Sequence, residues 1–291
     1  MANDLLLSIC VTLALSVITV LGEDGVETRI IGGVEVWDRC RPPFSWMVAL
    51  RMQSPEGPVT FCSSVMLDNT TLVTSGRCIF QFVTTNTSPG VAVVGERDLL
   101  GRDNEEQTIP IEGIRVHPEY NSDTYDNNIG LVRLSYPARL SRCVKPAHKM
   151  EDDPEACLDL DTSCLMAGWG PFAETSEPTN SRVLRSAPVT VYGDFVTLQL
   201  ELTRTQNAQP EGALYAEAMN PRQKACFFDW GGVVSCQRNG NTVLRGVIGE
   251  HNCNSNPTPP VMVTNVPEFE QWVEACQRNW NSFTCTGQAP Q

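Results

Sequence analysis

The sequence predicts an all-β fold, arranged as one large β domain or two small lobes, on three observations. The chain has 291 residues, 41% of them hydrophobic, which is enough to build a core of that size. Its 21 glycines and 20 prolines are spread along the length and call for many turns between short strands. Between about Ile30 and Asn265, short apolar runs alternate with turn signals. Examples are Trp46 to Arg51, Thr71 to Thr74, Val91 to Val94, Ile129 to Leu134 and Val243 to Ile248. No tandem repeat or low-complexity tract occurs. A coiled coil, a collagen-like rod and a mainly disordered chain are excluded.

At the amino end, Leu5 to Leu21 is an apolar run that closes on Val20, Leu21 and Gly22, followed at once by Glu23 and Asp24. This pattern predicts a signal peptide over 1–22. The segment before the run carries Asp4 and no Lys or Arg, so an uncleaved anchor stands as the alternative. Cys10 would leave with the signal, and the remaining eleven cysteines argue for disulfides and an oxidising compartment. No pair has the CxxC spacing of a zinc or redox site. Asn69-Thr70-Thr71 and Asn86-Thr87-Ser88 are glycosylation sequons, and the chain is expected to be secreted.

Acidic residues outnumber basic ones by 34 to 21, for a net charge of −13. Such a balance offers no basic stripe to displace counterions from phosphates, so neither nucleic acid nor an anionic membrane is an expected partner. Towards the carboxyl end, Val266, Phe269, Trp272, Val273, Cys276 and Trp280 fall on one helical face, and Pro267 suits a first turn. A helix over 266–280 is expected to pack on the β core. The tail 281–291 is polar and expected to be loose apart from Cys285.

A series of motifs then carries a family resemblance. Arg29-Ile30-Ile31-Gly32-Gly33 resembles the activation cleavage site of the chymotrypsin-like (trypsin-like) serine proteases. Ser45-Trp46-Met47-Val48-Ala49-Leu50 resembles their first barrel strand, and Phe61-Cys62-Ser63-Ser64 with Thr74-Ser75-Gly76-Arg77-Cys78 the segments around their first disulfide. Tyr125 to Leu134 resembles the strand that bears the family's aspartate. Ala167-Gly168-Trp169-Gly170 resembles the Gly-Trp-Gly turn, and Cys226-Phe227-Phe228-Asp229-Trp230-Gly231-Gly232 the Gly-Asp-Ser-Gly-Gly loop. The resemblance implies two packed six-stranded antiparallel β-barrels with a C-terminal helix. It also implies a propeptide over 23–29, a protease-like domain over 30–280, barrel one over about 30–145 and barrel two over about 146–265.

By the same resemblance, the positions of the family's catalytic histidine, aspartate and serine hold Arg77, Asn128 and Trp230. An arginine stays protonated at working pH and takes no proton from a nucleophile, while an indole offers only an N–H donor. The oxyanion-hole glycine aligns with Phe228, and Lys224 stands at the base of the primary specificity pocket. Val261 falls where a glycine usually opens that pocket, and the Ser-Trp-Gly strand is missing near Val247 to Gly249. A non-catalytic, secreted homologue that works by binding proteins is expected, as a regulator or cofactor of an extracellular protease cascade or in innate immunity. Its partners would then be extracellular proteins, proteases or their substrates among them. An active endopeptidase with a displaced triad is the alternative, although His117, His148 and His251 are not placed like a family base.

The resemblance also implies features kept from the family. Disulfides are expected at Cys62–Cys78, Cys164–Cys236 and Cys226–Cys253. Cys40, Cys143, Cys157, Cys276 and Cys285 have no assigned partner, so at least one would be free or bonded to another chain. Residues 95–107 match the family's calcium loop in length, with Glu96, Asp103 and Glu106 at carboxylate positions and Asp98 and Gly101 at carbonyl positions. No cofactor is expected to be required beyond that candidate Ca²⁺. Finally, Ile30 and Asp229 persist as the pair that would form an ion pair after cleavage following Arg29.

Overall fold

The computed structural model describes residues 30–54, 57–84, 90–149, 161–170, 182–193, 210–226, 229–250 and 259–286. Runs rich in valine, isoleucine and threonine become strands, because β-branched side chains fit the extended backbone. Strand β1 is Val34–Glu35; β2 (Met47–Ser54), β3 (Gly57–Met66), β4 (Thr71–Thr74), β5 (Val91–Val94), β6 (Gln107–Val116) and β7 (Gly130–Leu134) follow. The six from β2 to β7 close a barrel in the order β2-β3-β4-β7-β6-β5, with every pairing antiparallel. Strands β8 (Asp161–Gly168), β9 (Arg185–Tyr192), β10 (Ala213–Ala218), β11 (Val233–Arg238), β12 (Asn241–Glu250) and β13 (Val261–Asn265) close a second ring. The expected pair of six-stranded barrels is present.

Strand β1 pairs with β9, so the segment after residue 30 is carried by the second barrel although it precedes the first in sequence. Alternation along β2 shows how the layers separate. Val48 and Leu50 face the interior cluster of the first barrel, whereas Met47 and Ala49 face a cluster shared with Trp169, Val233 and Val247 of the second. The two opposite faces of one strand thus build one core and the seam between two.

Helix α1 (Gly76–Thr84) follows β4, and α2 (Glu270–Arg278) and α3 (Phe283–Thr286) close the chain. The single helix expected over 266–280 is divided. Val266–Phe269 is a 3₁₀ turn, α2 begins at Glu270, and Asn279 is already extended. Trp280 therefore lies beyond the helix, half-buried against the core, and stacks under Arg115 and Arg133, with guanidinium carbons 5.0 and 5.8 Å from the ring centre. The tail is not loose over 283–286, because Cys285 is fully buried and bonded to Cys276.

The expected pairs Cys62–Cys78 and Cys164–Cys236 are formed, and so is Cys40–Cys143. Four of the five unassigned cysteines thus pair among themselves within the chain. Spacing could not foretell it, since one pair closes 103 residues and the other only 9. Cys226 is also disulfide-bonded, while its expected partner Cys253, and Cys157, lie outside the described residues. Among the described residues, no helix is long and apolar enough to cross a membrane.

Candidate functional site

Arg77, Asn128 and Trp230, expected from the sequence at the triad positions, lie near the seam between the barrels. Arg77 sits in the first turn of α1, which the Cys62–Cys78 bond ties to β3. Its backbone N–H donates to Asn128 Oδ1 at 2.8 Å. A side chain at Gly76 would crowd that same Oδ1 and the Tyr120 ring, so the glycine lets the helix start approach. Asn128 is buried in the loop before β7, and its carbonyl accepts from Thr264 Oγ1 of β13 at 2.6 Å. Trp230 lies in the loop before β11, where its carbonyl accepts the Ser63 N–H at 2.9 Å and its ring joins the first barrel's interior. The next residue, Gly231, has φ +77°, and a Cβ there would strike the Ser63 carbonyl and the Thr74 hydroxyl.

The Arg77 guanidinium stands over the Trp230 indole at 5.5 Å, and its Nε is 3.7 Å from a Glu250 carboxylate oxygen. Burial pushes the Tyr120 phenol up to about 12, and burial together with Glu250 raises that of Tyr125. Neither phenol is a base near neutral pH. Of the histidines, His117 packs on Phe269 and Trp272, His148 packs on Trp46, and His251 lies outside the described residues. Sequence reasoning missed Glu250, Tyr120 and Tyr125. Tyr125 stands at the head of the 125–134 motif without a role, and nothing local marks Glu250 or Tyr120, because the cluster assembles from β12 and the long β6–β7 loop.

Beside the cluster, the Asp229 carboxylate is fully buried. Its oxygens accept the Gly170 N–H at 2.8 Å and the Cys226 N–H at 3.0 Å, and no cation meets it among the described residues. Burial outweighs both hydrogen bonds and pushes its pKa up to about 7. Gly168 and Gly170 make this possible, since a Cβ at either would collide with the carboxyl group. Ile30, with no exposed surface, joins Ala225, Ile248 and Val261 in the second barrel's interior. Ile31 accepts the Lys224 N–H at 2.8 Å, and Gln223 donates to the Gly32 carbonyl at 2.6 Å, so the segment is docked.

The family model described as Trypsin matches residues 30–273. The chain belongs to the trypsin family. Cathepsin G of Mus musculus is 27% identical over 258 residues, covering 87% of each chain. Kallikrein-14 of Homo sapiens is 26% identical over 265 residues, covering 87% of this chain and 86% of its own. Duodenase-1 of Bos taurus is 23% identical over 270 residues, with 92% and 97% covered.

Within this trypsin-family fold, the remaining expected site residues fall as follows. Val261 opens β13 and is buried in the same apolar cluster as Ala225, the neighbour of Lys224. Phe228, Arg29 and Asn86 lie outside the described residues. Asn69 is exposed in the tight turn between β3 and β4, where Asp68 accepts the backbone N–H groups of Thr70 and Thr71.

The 95–107 loop has its carboxylates already engaged. Arg51 of β2 lays its guanidinium on Glu96 and donates to the Leu99 carbonyl at 3.2 Å. Asp98 takes both donors of Arg182, at 2.7 and 2.8 Å. Asp103 accepts the N–H groups of Arg97 and Asp98, and Glu106 accepts that of Asp103. Burial pushes Glu96 up to about 7 against the opposing charge of Arg51, with Glu106 and Asp103 adding to the rise. Among the described residues, no three acidic, histidine or cysteine side chains converge as ligands. A calcium cage needs several oxygens turned on one point, and here a guanidinium and backbone donors hold them. These residues do not fit a resident calcium ion.

Proposed function

We propose that this trypsin-family chain is a secreted, non-catalytic serine protease homologue that works by binding other proteins. The observation that carries this reading is the contact of Arg77 with both Asn128 and Trp230 at the seam. Residues that touch there in place of the family's triad offer a fixed cation, an amide and an indole. None of them takes a proton from a nucleophile or attacks a carbonyl. Loss of a triad's nucleophile or base costs on the order of 10⁶-fold in turnover in subtilisin. An extracellular protease cascade, or innate immunity, is the setting that suits such a homologue, with glycans on Asn69 and Asn86.

The amino-terminal device supports a regulatory role. Cleavage after Arg29 would free the amine of Ile30, which already lies in the second barrel's interior, and the uncompensated Asp229 is the charge it would meet. The ion pair would then order the loop that bears Trp230, so that a proteolytic signal becomes a docking signal.

The test treats the cleaved, secreted protein with a covalent probe for serine hydrolases and with broad peptide and ester substrates. No labelling and no turnover are expected. Labelling that a serine-directed inhibitor blocks would establish the competing reading, an endopeptidase with a displaced triad.

A further inference from the structure

A groove of about 1050 Å³ runs between the helical end of the chain and the β6–β7 loop. Five glutamates line it: Glu119 from that loop, Glu211 just before β10, and Glu268, Glu270 and Glu274 from the 3₁₀ turn and α2. Lys149 pairs with Glu270 and Glu274, and Arg278 also reaches Glu274. No ion pair among the described residues engages Glu119 or Glu211. The walls are tied together, for the Asn127 N–H donates to the Glu211 carbonyl at 2.9 Å and the Glu211 N–H to Asp126 at 2.8 Å.

The floor is aromatic. His117 lies edge-on to Phe269 and Trp272, at 5.4 and 5.0 Å between ring centres. Gly212, at φ +71°, leaves space that the Phe269 ring fills, and any Cβ there would strike it. Burial lowers the pKa of His117, with Glu119 and Glu211 pulling the other way. Trp272 is 6% exposed, and its indole N–H finds no acceptor among the described residues. At the rim, Phe283 is 60% exposed on a helix that the Cys276–Cys285 bond fixes in place.

We infer that this groove docks a cationic segment of a partner protein, in which lysines or arginines meet the glutamates and an apolar side chain covers Phe283. The inference deepens the binding role proposed above by naming a surface and the chemistry it selects. Charge complementarity chooses the occupant. A second copy of the chain carries −13 and would be repelled. The segment 23–29 brings Arg29 along with Glu23, Asp24 and Glu27, so it too is acidic. A basic segment gains long-range attraction on approach and an aromatic anchor on arrival.

The experiment titrates the secreted protein by calorimetry with a short synthetic peptide of lysine, arginine and leucine. A control peptide has its basic residues replaced by glutamate. Binding that weakens with salt is expected for the basic peptide and none for the control. Glu119→Gln with Glu211→Gln should weaken binding about tenfold. The matched pair Glu112→Gln with Glu217→Gln, which removes the same charge elsewhere, should change it by less than about twofold. Phe283→Ala gives a second, charge-neutral loss, and melting curves establish that each variant is folded. No binding, or equal losses from the two glutamate pairs, would overturn the inference; so would binding of a sulfated polysaccharide at this face. Those results would leave the non-catalytic reading standing, because that rests on the serine-hydrolase probe.

Discussion

Glu96 and Asp229 are both buried carboxylates, each raised to about 7, yet the fold treats them differently. Glu96, in the first barrel, is met by an arginine from the neighbouring strand. Asp229, at the seam, receives two backbone N–H groups and no cation among the described residues. A buried charge left without a counter-charge is costly, so the fold either supplies one or keeps the group protonated. The first solution is closed and structural. The second stays open to a cation delivered later, which is what cleavage after Arg29 would provide.

The largest expected effect tests the open member of the pair. A carboxyl whose pKa is higher in the folded chain than in the unfolded one binds more protons when folded across the interval between them. Its contribution to stability is present below about 4 and is lost as pH rises through about 7. The shift corresponds to a loss on the order of 4 kcal/mol for the intact chain. By urea unfolding, the stability difference between the intact protein and Asp229→Asn should change by about this amount across that range. After cleavage at Arg29 the difference should reverse, since removing one partner of a buried ion pair costs roughly 3–5 kcal/mol. An identical change in the intact and cleaved forms would show that no ion pair forms.

Next comes the closed member. Arg51→Met leaves the buried Glu96 without its guanidinium and should cost roughly 3–5 kcal/mol, whereas Arg51→Met with Glu96→Gln should recover a large part of it. Wild-type melting should be the same in millimolar calcium as in chelator. A calcium-dependent rise in Tm would mean that Arg51 yields its place to the ion.

This contrast also marks how far the sequence could be read. The apolar runs and turn residues disclosed the strands, and the Gly-Trp-Gly and Asp-Trp-Gly-Gly motifs located Asp229, because both are local in the chain. The acids of the 95–107 loop were legible as a cluster, but the ligand they hold was not. Arg51 and Arg182 come from 45 and 84 residues away, through strand register that no spacing reveals. Likewise Glu250 reaches Arg77 only after β12 and α1 are brought to one seam. The end of the last helix was missed for another reason. Its periodic pattern continued to Trp280, but the chain turns extended at Asn279, so the ring packs on the core from outside the helix.

A smaller effect probes the space that keeps Asp229 buried. At Gly170, a Cβ would overlap the Asp229 carboxyl group itself. Gly170→Ala should cost about 1–3 kcal/mol through overpacking, and hydrogen exchange at Gly231 and Gly232 should quicken as the carboxyl is displaced. Gly170 is not among the glycines at positive φ, so backbone strain does not enter there. A cost below about 0.5 kcal/mol with unchanged exchange would remove the packing argument.

The smallest effect belongs to a third arginine–carboxylate pair, Arg77 with Glu250, which separates desolvation from proximity. Its Nε–oxygen distance is 3.7 Å, and the two side chains are 31% and 22% exposed, against 14% and 0% for Arg51 and Glu96. The side chains are partly open to water, although Arg77 Nε and Glu250 Oε2 are themselves buried, so the long pair is screened in part and contributes about 1 kcal/mol. The guanidinium also stands over the Trp230 ring, which adds on the order of 0.5–1 kcal/mol. Arg77→Ala should thus lose about 1 kcal/mol in stability, far less than Arg51→Met, although both remove an arginine from a carboxylate. Raising the salt concentration should shrink the Arg77 loss and leave the Arg51 loss largely intact, because screening acts on solvated charges. If Arg77→Ala cost as much as Arg51→Met, the seam would hold a buried charge network, and the catalytic machinery would have given way to a structural one.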